Sequence, residues 1–360
     1  MAKQAKMISC KHCGAEIAAS AKVCPHCGGK NRQSLFKRVW FWILIAGIVI
    51  AAVSCGGDNG DAGETKKIGE VSATQSNQLK ENSEEQKNTE VQTVYHVGDI
   101  LHDGDMDIVY AASGDYVSEN QFSQPAEGKK FIFLKFAFLN TSDRSDSCIS
   151  SFSFTCYADG YAADSYYGGD EDISATLSAG RSTMGCVYFE VPENAKEIEV
   201  EYETNAFMSK KIKFVYEGNL DSGYTLEKNA AATEGALKPG DSLTGATLNI
   251  QYLSCIEDHS DNPFIVPKDG CRYITCEFEF ENVSSSDVTV TSFSFDCFAD
   301  GVSCDAAYFR DDNLSATLSA GRKAKGTVTF EVPLDAKIVE VEYLTNYWTS
   351  NRVVFDASAA

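Results

Sequence analysis

Histidine is scarce in this chain: five occur in 360 residues, and only His96, His102 and His259 lie beyond the first 30. A hydrolase that shuttles protons through imidazole has little to draw on here. Basic charge is also in short supply, with 31 Lys and Arg against 52 Asp and Glu and a net charge of −21. A chain so acidic offers no broad cationic surface, which argues against nucleic acid as a partner. No βαβ pattern surrounds its cysteines, which weakens a redox reading of the C-x-x-C pairs. Long apolar runs are missing except for one, and residues 56–93 contain no aromatic residue at all.

The cysteines that are present carry the first positive signal. Cys10 and Cys13 form one C-x-x-C knuckle in "CKHCGAEIAASAKVCPHCGGK", and Cys24 and Cys27 form another. Two such knuckles can set four thiolates at the corners of a tetrahedron around a single structural Zn2+. The segment between them is too short for a core, so the metal would supply the folding free energy. Four thiolates close the site, which leaves no open position for substrate and makes His12 and His26 bystanders. A redox pair and an iron–sulfur cluster are the competing readings.

Residues 39–55, "VWFWILIAGIVIAAVSC", carry no charge. As a helix they would span about 25 Å, within the range of a membrane crossing. Trp40 and Trp42 sit at one end, Lys37 and Arg38 precede the run, and Asp58 and Asp61 follow it. Residues 1–38 hold eight Lys/Arg and one Glu, while the remainder holds 23 Lys/Arg and 51 Asp/Glu. That asymmetry predicts a single pass with the N-terminus inside. A reducing cytoplasm would keep the zinc thiols free. Cys55, between "AAVS" and "GGDNGD", offers a second reading: lipidation there would release everything before it. Ala52 stands where Leu is usual at such sites. The polar stretch 56–93 predicts a flexible stalk of roughly 35 Å.

The rest of the chain is one unit written twice. "SFSFTCYADG" at 151–160 returns as "SFSFDCFADG" at 292–301, "SATLSAGR" at 174–181 returns unchanged at 315–322, and "FEVP" at 189–192 returns at 330–333. The offset is 141 residues, and 142 upstream where "FIFLKFAFLN" matches "YITCEFEFEN". Within a unit the period is two. Ile132, Leu134, Phe136 and Phe138 alternate on one face of the first copy, and Ile274, Cys276, Phe278 and Phe280 on that of the second. Val328, Phe330 and Val332 follow the same rule, and Asp159-Gly160 and Asp300-Gly301 are turn signals. The expected fold is therefore mainly β: a zinc ribbon over 1–34, a transmembrane helix over 35–55, the stalk over 56–93, and two tandem antiparallel β-sandwiches over 94–217 and 238–357, joined by a linker over 218–237.

Two resemblances follow from these residues. The stretch with Cys10, Cys13, Gly14, Ile17, Val23, Cys24, Cys27 and Gly28 resembles the short zinc ribbon at the N-terminus of many bacterial membrane proteins. The order "L-S-A-G-R... G-x-V-x-F-E-V-P... V-E-Y" is similar to immunoglobulin-like domains of unassigned function in Gram-positive lipoproteins and membrane proteins, a group that includes a secreted mycobacterial antigen. Ala179 and Ala320 stand where that family usually has proline. The resemblance implies a fold and an extracellular address, and no reaction.

None of the three later histidines meets a histidine in the other copy, so no catalytic arrangement is shared and an enzyme is not expected. Asp170, Glu171 and Asp172 align with Asp311, Asp312 and Asn313 on loops whose oxygens could hold Ca2+. Without glycine-punctuated ligand spacing, a solvated acidic loop is the stronger reading. The neighbouring pairs Tyr166–Tyr167 and Tyr308–Phe309 offer anchors for a partner. Cys255 and Cys271 both lack counterparts in the first copy, where Ser113 and Lys129 stand, and a pair gained together suggests a disulfide. The whole predicts an envelope binding or scaffold protein with an unknown envelope protein or cell-wall ligand outside and an unknown cytoplasmic partner for the ribbon. The alternatives are a sensor coupling outer ligand to ribbon partner, a lipoprotein processed at Cys55, and an anchored enzyme.

Overall fold

The computed structural model describes residues 7–9, 16–18, 65–71, 93–143, 145–205, 210–346 and 351–360. The chain divides into two compact units, Met1–Ser54 and Cys55–Ala360. In the first unit the strands Met7–Ser9 and Glu16–Ala18 pair antiparallel, Ile8 opposite Ile17. The expected zinc ligands Cys10, Cys13, Cys24 and Cys27, the expected span 39–55 and Cys55 lie outside the described residues. Among the described residues no helix is long and apolar enough to cross a membrane.

The second unit holds two β-sandwiches. In the first repeat, the strands Asp99–Asp103, Met106–Tyr116, Lys129–Asn140 and Ser182–Pro192 form one antiparallel sheet. Phe154–Ala158, Ile198–Asn205 and Lys210–Val215 form the other, with Val94–Tyr95 added parallel at its edge. The second repeat copies this with Leu248–Asp258, Cys271–Asn282 and Lys323–Pro333 in one sheet and Phe295–Ala299, Val339–Asn346 and Asn351–Asp356 in the other.

Alternation sets the two cores. Ile132, Leu134, Phe136 and Phe138 are all buried, as are Ile274, Cys276, Phe278 and Phe280 and, on the neighbouring strand, Val328, Phe330 and Val332. The opposite face is not wholly solvated as alternation alone would suggest. Tyr273, Thr275, Thr327 and Thr329 are buried there too. The Thr275 hydroxyl bonds Asp258 and Thr329, and Tyr273 packs on Phe309 at 4.9 Å, because loops fold back over this end of the sheet. Asp159 and Asp300 both adopt φ of 49°, each followed by a glycine with positive φ, as a two-residue hairpin turn of this hand requires. Their carboxylates hold the start of the neighbouring paired strand by accepting from the N–H groups of Lys196 and Glu197, and of Lys337 and Ile338.

Part of the stretch expected as a stalk is ordered: Lys66–Glu70 pairs with Asp99–Asp103 as an edge strand. Its alternation is too weak to be read as a strand, and backbone pairing with an open sheet edge supplies what side chains do not. The linker is likewise pinned. Leu220–Asp221 pairs with Met106–Tyr116, the Asn229 N–H donates to the Asp300 carbonyl, and Leu237 bridges Phe355.

The repeats join through one parallel rung, Ser182 opposite Val302, where strand Val302–Cys304 meets strand Ser182–Pro192. Around that rung lies an ion network. Arg181 donates to Glu342 at 2.9 Å and to Glu340 at 2.5 Å, its guanidinium 4.8 Å from the Phe298 ring centroid. Arg352 pairs with Asp296 at 2.7 Å, with Glu342 at 3.4 Å and with Asp146 of the first repeat at 3.2 Å. Phe298, a residue of the second repeat, packs into the core of the first. In the first repeat the places of Glu340 and Glu342 are held by Glu199 and Glu201, which take Lys213 and Lys211 instead. One carboxylate pair is thus written twice and used in two ways.

Candidate functional site

Each sandwich presents an exposed aromatic pair built in the same way. The chain enters the strand Phe154–Ala158 through a single 3-10 turn, Ser151–Ser153, whose start is fixed by the Ser150 hydroxyl accepting from the Phe152 N–H. The second copy repeats it at Ser292–Ser294, with Thr291 accepting from the Phe293 N–H. With the backbone so held, Phe152 and Phe293 point outward and are 78% and 77% exposed. Phe152 lies 5.4 Å from Tyr167 and Phe293 lies 5.8 Å from Tyr308, centroid to centroid, both pairs tilted by 43°.

The tyrosines reach this place because their loops lie flat on a strand. Asp172 bridges Cys186 and Asn313 bridges Thr327, and both crossings pass over a glycine. A Cβ at Gly185 would sit 2.3 Å from the Asp172 carbonyl oxygen, and one at Gly326 would sit 2.8 Å from the Leu314 Cα. Only a residue without a side chain admits the loop there.

Between the repeats runs a groove of about 1360 Å³. Phe152, Phe293 and Tyr308 line it, together with Lys135, Lys268 and Cys304. Its lysines are matched: Lys135 to Glu171 at 2.9 Å and Lys268 to Asp305 at 2.8 Å. Among the described residues no histidine lines the groove. His96 pairs with Glu217, and His102 with Asp107, on exposed surface elsewhere.

The acidic loops do not gather their oxygens at one point. Asp170 accepts from the Tyr116 hydroxyl, Glu171 takes Lys135 and the Cys186 thiol, and Asp172 accepts from Ser174. In the second copy Asp312 is held by Arg310 through two bonds of 2.8 and 2.9 Å, which lowers its carboxyl to about 2, and Arg310 also takes Asp258. Asn313 donates to the Arg310 carbonyl. The partners of these groups are cations and hydroxyls of the chain itself. Among the described residues no group of three or more His, Cys, Asp or Glu is placed to hold a metal.

The expected pairing of Cys255 with Cys271 does not form. Cys255 stands directly opposite Cys276, and Cys271 lies five residues further along that strand, opposite Pro333. Five residues of strand are about 17 Å, against the 7 Å or so that a disulfide tolerates between Cα atoms. Cys276 is unmatched as well, with Leu134 standing in its place, and only the register shows it to be the cysteine that Cys255 faces. Of the aromatic residues expected as anchors, Tyr167 and Tyr308 are exposed, whereas Tyr166 stacks on Phe131 at 3.9 Å and Phe309 packs on Tyr273. Phe152 and Phe293 were not singled out by the sequence as surface residues. Their exact match at the repeat offset was the available signal.

Fold and groove together define a class: a tandem pair of β-sandwich domains with a shared cleft. The chain belongs to the family described as a domain of unknown function (DUF4352), whose pattern it matches twice, over residues 95–213 and 237–353. Among solved structures it is similar to the ycdA protein of Bacillus subtilis, at 15% identity over 32% of this chain and 36% of that one, TM-score 0.27. It is similar to the yjhA protein of Bacillus subtilis at 14% identity over 33% of this chain and 98% of that one, TM-score 0.28. The secreted protein MPT63 of Mycobacterium tuberculosis matches at 14% identity over 34% of this chain and 99% of its own, TM-score 0.26. No curated protein matches.

Proposed function

We propose that this chain is an envelope binding protein whose groove takes up a ring-bearing polymer, of the kind that cell-wall glycan provides, across Phe152, Phe293 and Tyr308, with Tyr167 beside Phe152. The observation that carries the reading is the duplication: Phe152–Tyr167 and Phe293–Tyr308 hold the same tilt at 5.4 and 5.8 Å while remaining exposed. Exposed aromatic rings cost solvation unless something covers them, and flat apolar faces suit the flat faces of sugar rings. The matched lysines beside them present hydrogen-bonding groups with little net charge, which fits a neutral polymer better than a charged one. The sequence supports the setting: a four-cysteine zinc ribbon at Cys10, Cys13, Cys24 and Cys27, one membrane pass over 39–55 with the ribbon inside, and the repeats outside.

Sedimentation of the detergent-solubilised chain with insoluble cell-wall glycan tests the binding. Phe152→Ala and Tyr308→Ala should each weaken it by about 2 kcal/mol, some thirtyfold, as central aromatic anchors do. Equal pelleting of wild type and the Phe152→Ala, Tyr308→Ala double variant would refute the reading. An N-terminal tag reachable from outside intact cells would refute the topology independently.

A further inference from the structure

The second repeat carries a pair of thiols that the first repeat does not. Cys255 and Cys276 face one another on adjacent antiparallel strands, and their sulfurs are 2.8 Å apart. In the first repeat the same rung holds Ser113 opposite Leu134. Directly opposed residues on antiparallel strands have Cα atoms about 4.5–5.5 Å apart, inside the span a disulfide bridges. A buried cysteine alone is an ordinary small apolar residue, and Cys276 alone would need no further account. Two cysteines gained on one rung do.

We propose that Cys255 and Cys276 form a dithiol that closes to a cross-strand disulfide by exchange with a small-molecule disulfide. Access gives the two sulfurs different parts. Cys276 is fully buried, with the Tyr252 hydroxyl 3.6 Å from its sulfur. Cys255 is partly exposed and is the sulfur an incoming molecule meets. The charge environment agrees: the hydrogen bond from Cys276 lowers the Cys255 thiol, with Arg272 assisting, while burial raises Cys276. The Cys255 thiolate attacks one sulfur of the small disulfide and expels one thiolate. The resulting mixed disulfide is resolved by Cys276, which loses its proton to the departing thiolate, bonds the Cys255 sulfur and releases a second thiol. Two protein thiols are oxidised by two electrons and one small disulfide is reduced to two thiols. The product ties Leu248–Asp258 to Cys271–Asn282, the strands at the middle of that sheet. It gives the second repeat a staple that the first lacks.

The test uses the full chain, reduced, then equilibrated under native conditions with a series of glutathione and glutathione-disulfide ratios, trapped by alkylation and mapped by peptide mass spectrometry. The expected product is one linked peptide pair joining Cys255 to Cys276, lighter by two hydrogens than the thiol form. Closure should raise the melting temperature of the second repeat by roughly 10 °C. Cys255→Ser and Cys276→Leu place the first repeat's residues on that rung, and each should abolish the linked pair and the shift. Cys255→Ser alters a partly exposed site, so its folding is the safer control. Full alkylation of both thiols across the whole series would overturn the proposal. So would linkage of Cys255 to Cys271 or Cys304.

Discussion

Arg181 is the residue on which the union of the two repeats depends most, and the duplication supplies its own control. Its guanidinium is 11% exposed, and the carboxylates of Glu340 and Glu342 that it joins are 2% and 3% exposed. Arg181→Ala would leave both carboxylates in a low-dielectric seam and bare the Phe298 ring. Removing one partner of a buried pair costs about 3–5 kcal/mol. Part of that is offset, because Arg352 reaches Glu342 and the Thr233 N–H and hydroxyl reach Glu340. A loss of about 3 kcal/mol is therefore expected. The equivalent arginine of the second copy, Arg322, is exposed, so Arg322→Ala should change stability by less than about 0.5 kcal/mol. Lysine at 181 should recover only part of the loss, since an ammonium cannot bond two carboxylates with a planar fork. Urea unfolding followed by tryptophan-independent circular dichroism measures the difference, and limited proteolysis of 222–236 reports whether the repeats have parted. If Arg181→Ala and Arg322→Ala prove equally mild, the network does not hold the repeats together.

Asp296 sits in the same seam, and burial pushes its carboxyl from 3.8 to about 6, against the opposing pull of Arg352. A raised carboxyl favours the folded state in acid: its contribution is full below 3.8 and is lost as pH rises through about 6. Asp296→Thr, the residue of the first repeat, should flatten stability across that window in melts taken at a series of pH values; an unchanged pH profile would remove Asp296 from the account. Asp312 works in the opposite sense, its contribution present at neutral pH and lost as pH falls through about 2. Gly326→Ala should cost about 1–3 kcal/mol, because its Cβ would meet the backbone of Leu314; a melt equal to wild type would mean the loop simply moves aside. If the ribbon reading holds, the purified full chain should carry a single zinc by elemental analysis, and Cys24→Ser should lose it.

Local pattern fixed the sandwiches. A strand packed on one side must alternate, and each inward position named from alternation is buried. The repeat offset fixed which residues are equivalent, because two copies of one fold keep spacing even where side chains diverge. The Asp-Gly pairs marked hairpin turns for the same local reason: few residues accept positive φ.

What no alternation or offset could reveal is which of two equivalent residues finds which partner. Arg181 and Arg322 are identical in sequence context, "SAGR" in each copy, yet only the first meets Glu340 and Glu342. Cys255 was visibly unmatched, but register alone chose Cys276 over Cys271. Phe152 and Phe293 lie outside because a 3-10 turn before the strand holds each there. Periodicity is a property of a strand taken alone, so a sequence carries it openly. Partner choice depends on how one repeat is laid against the other, and that is decided only when distant segments arrive at the same seam.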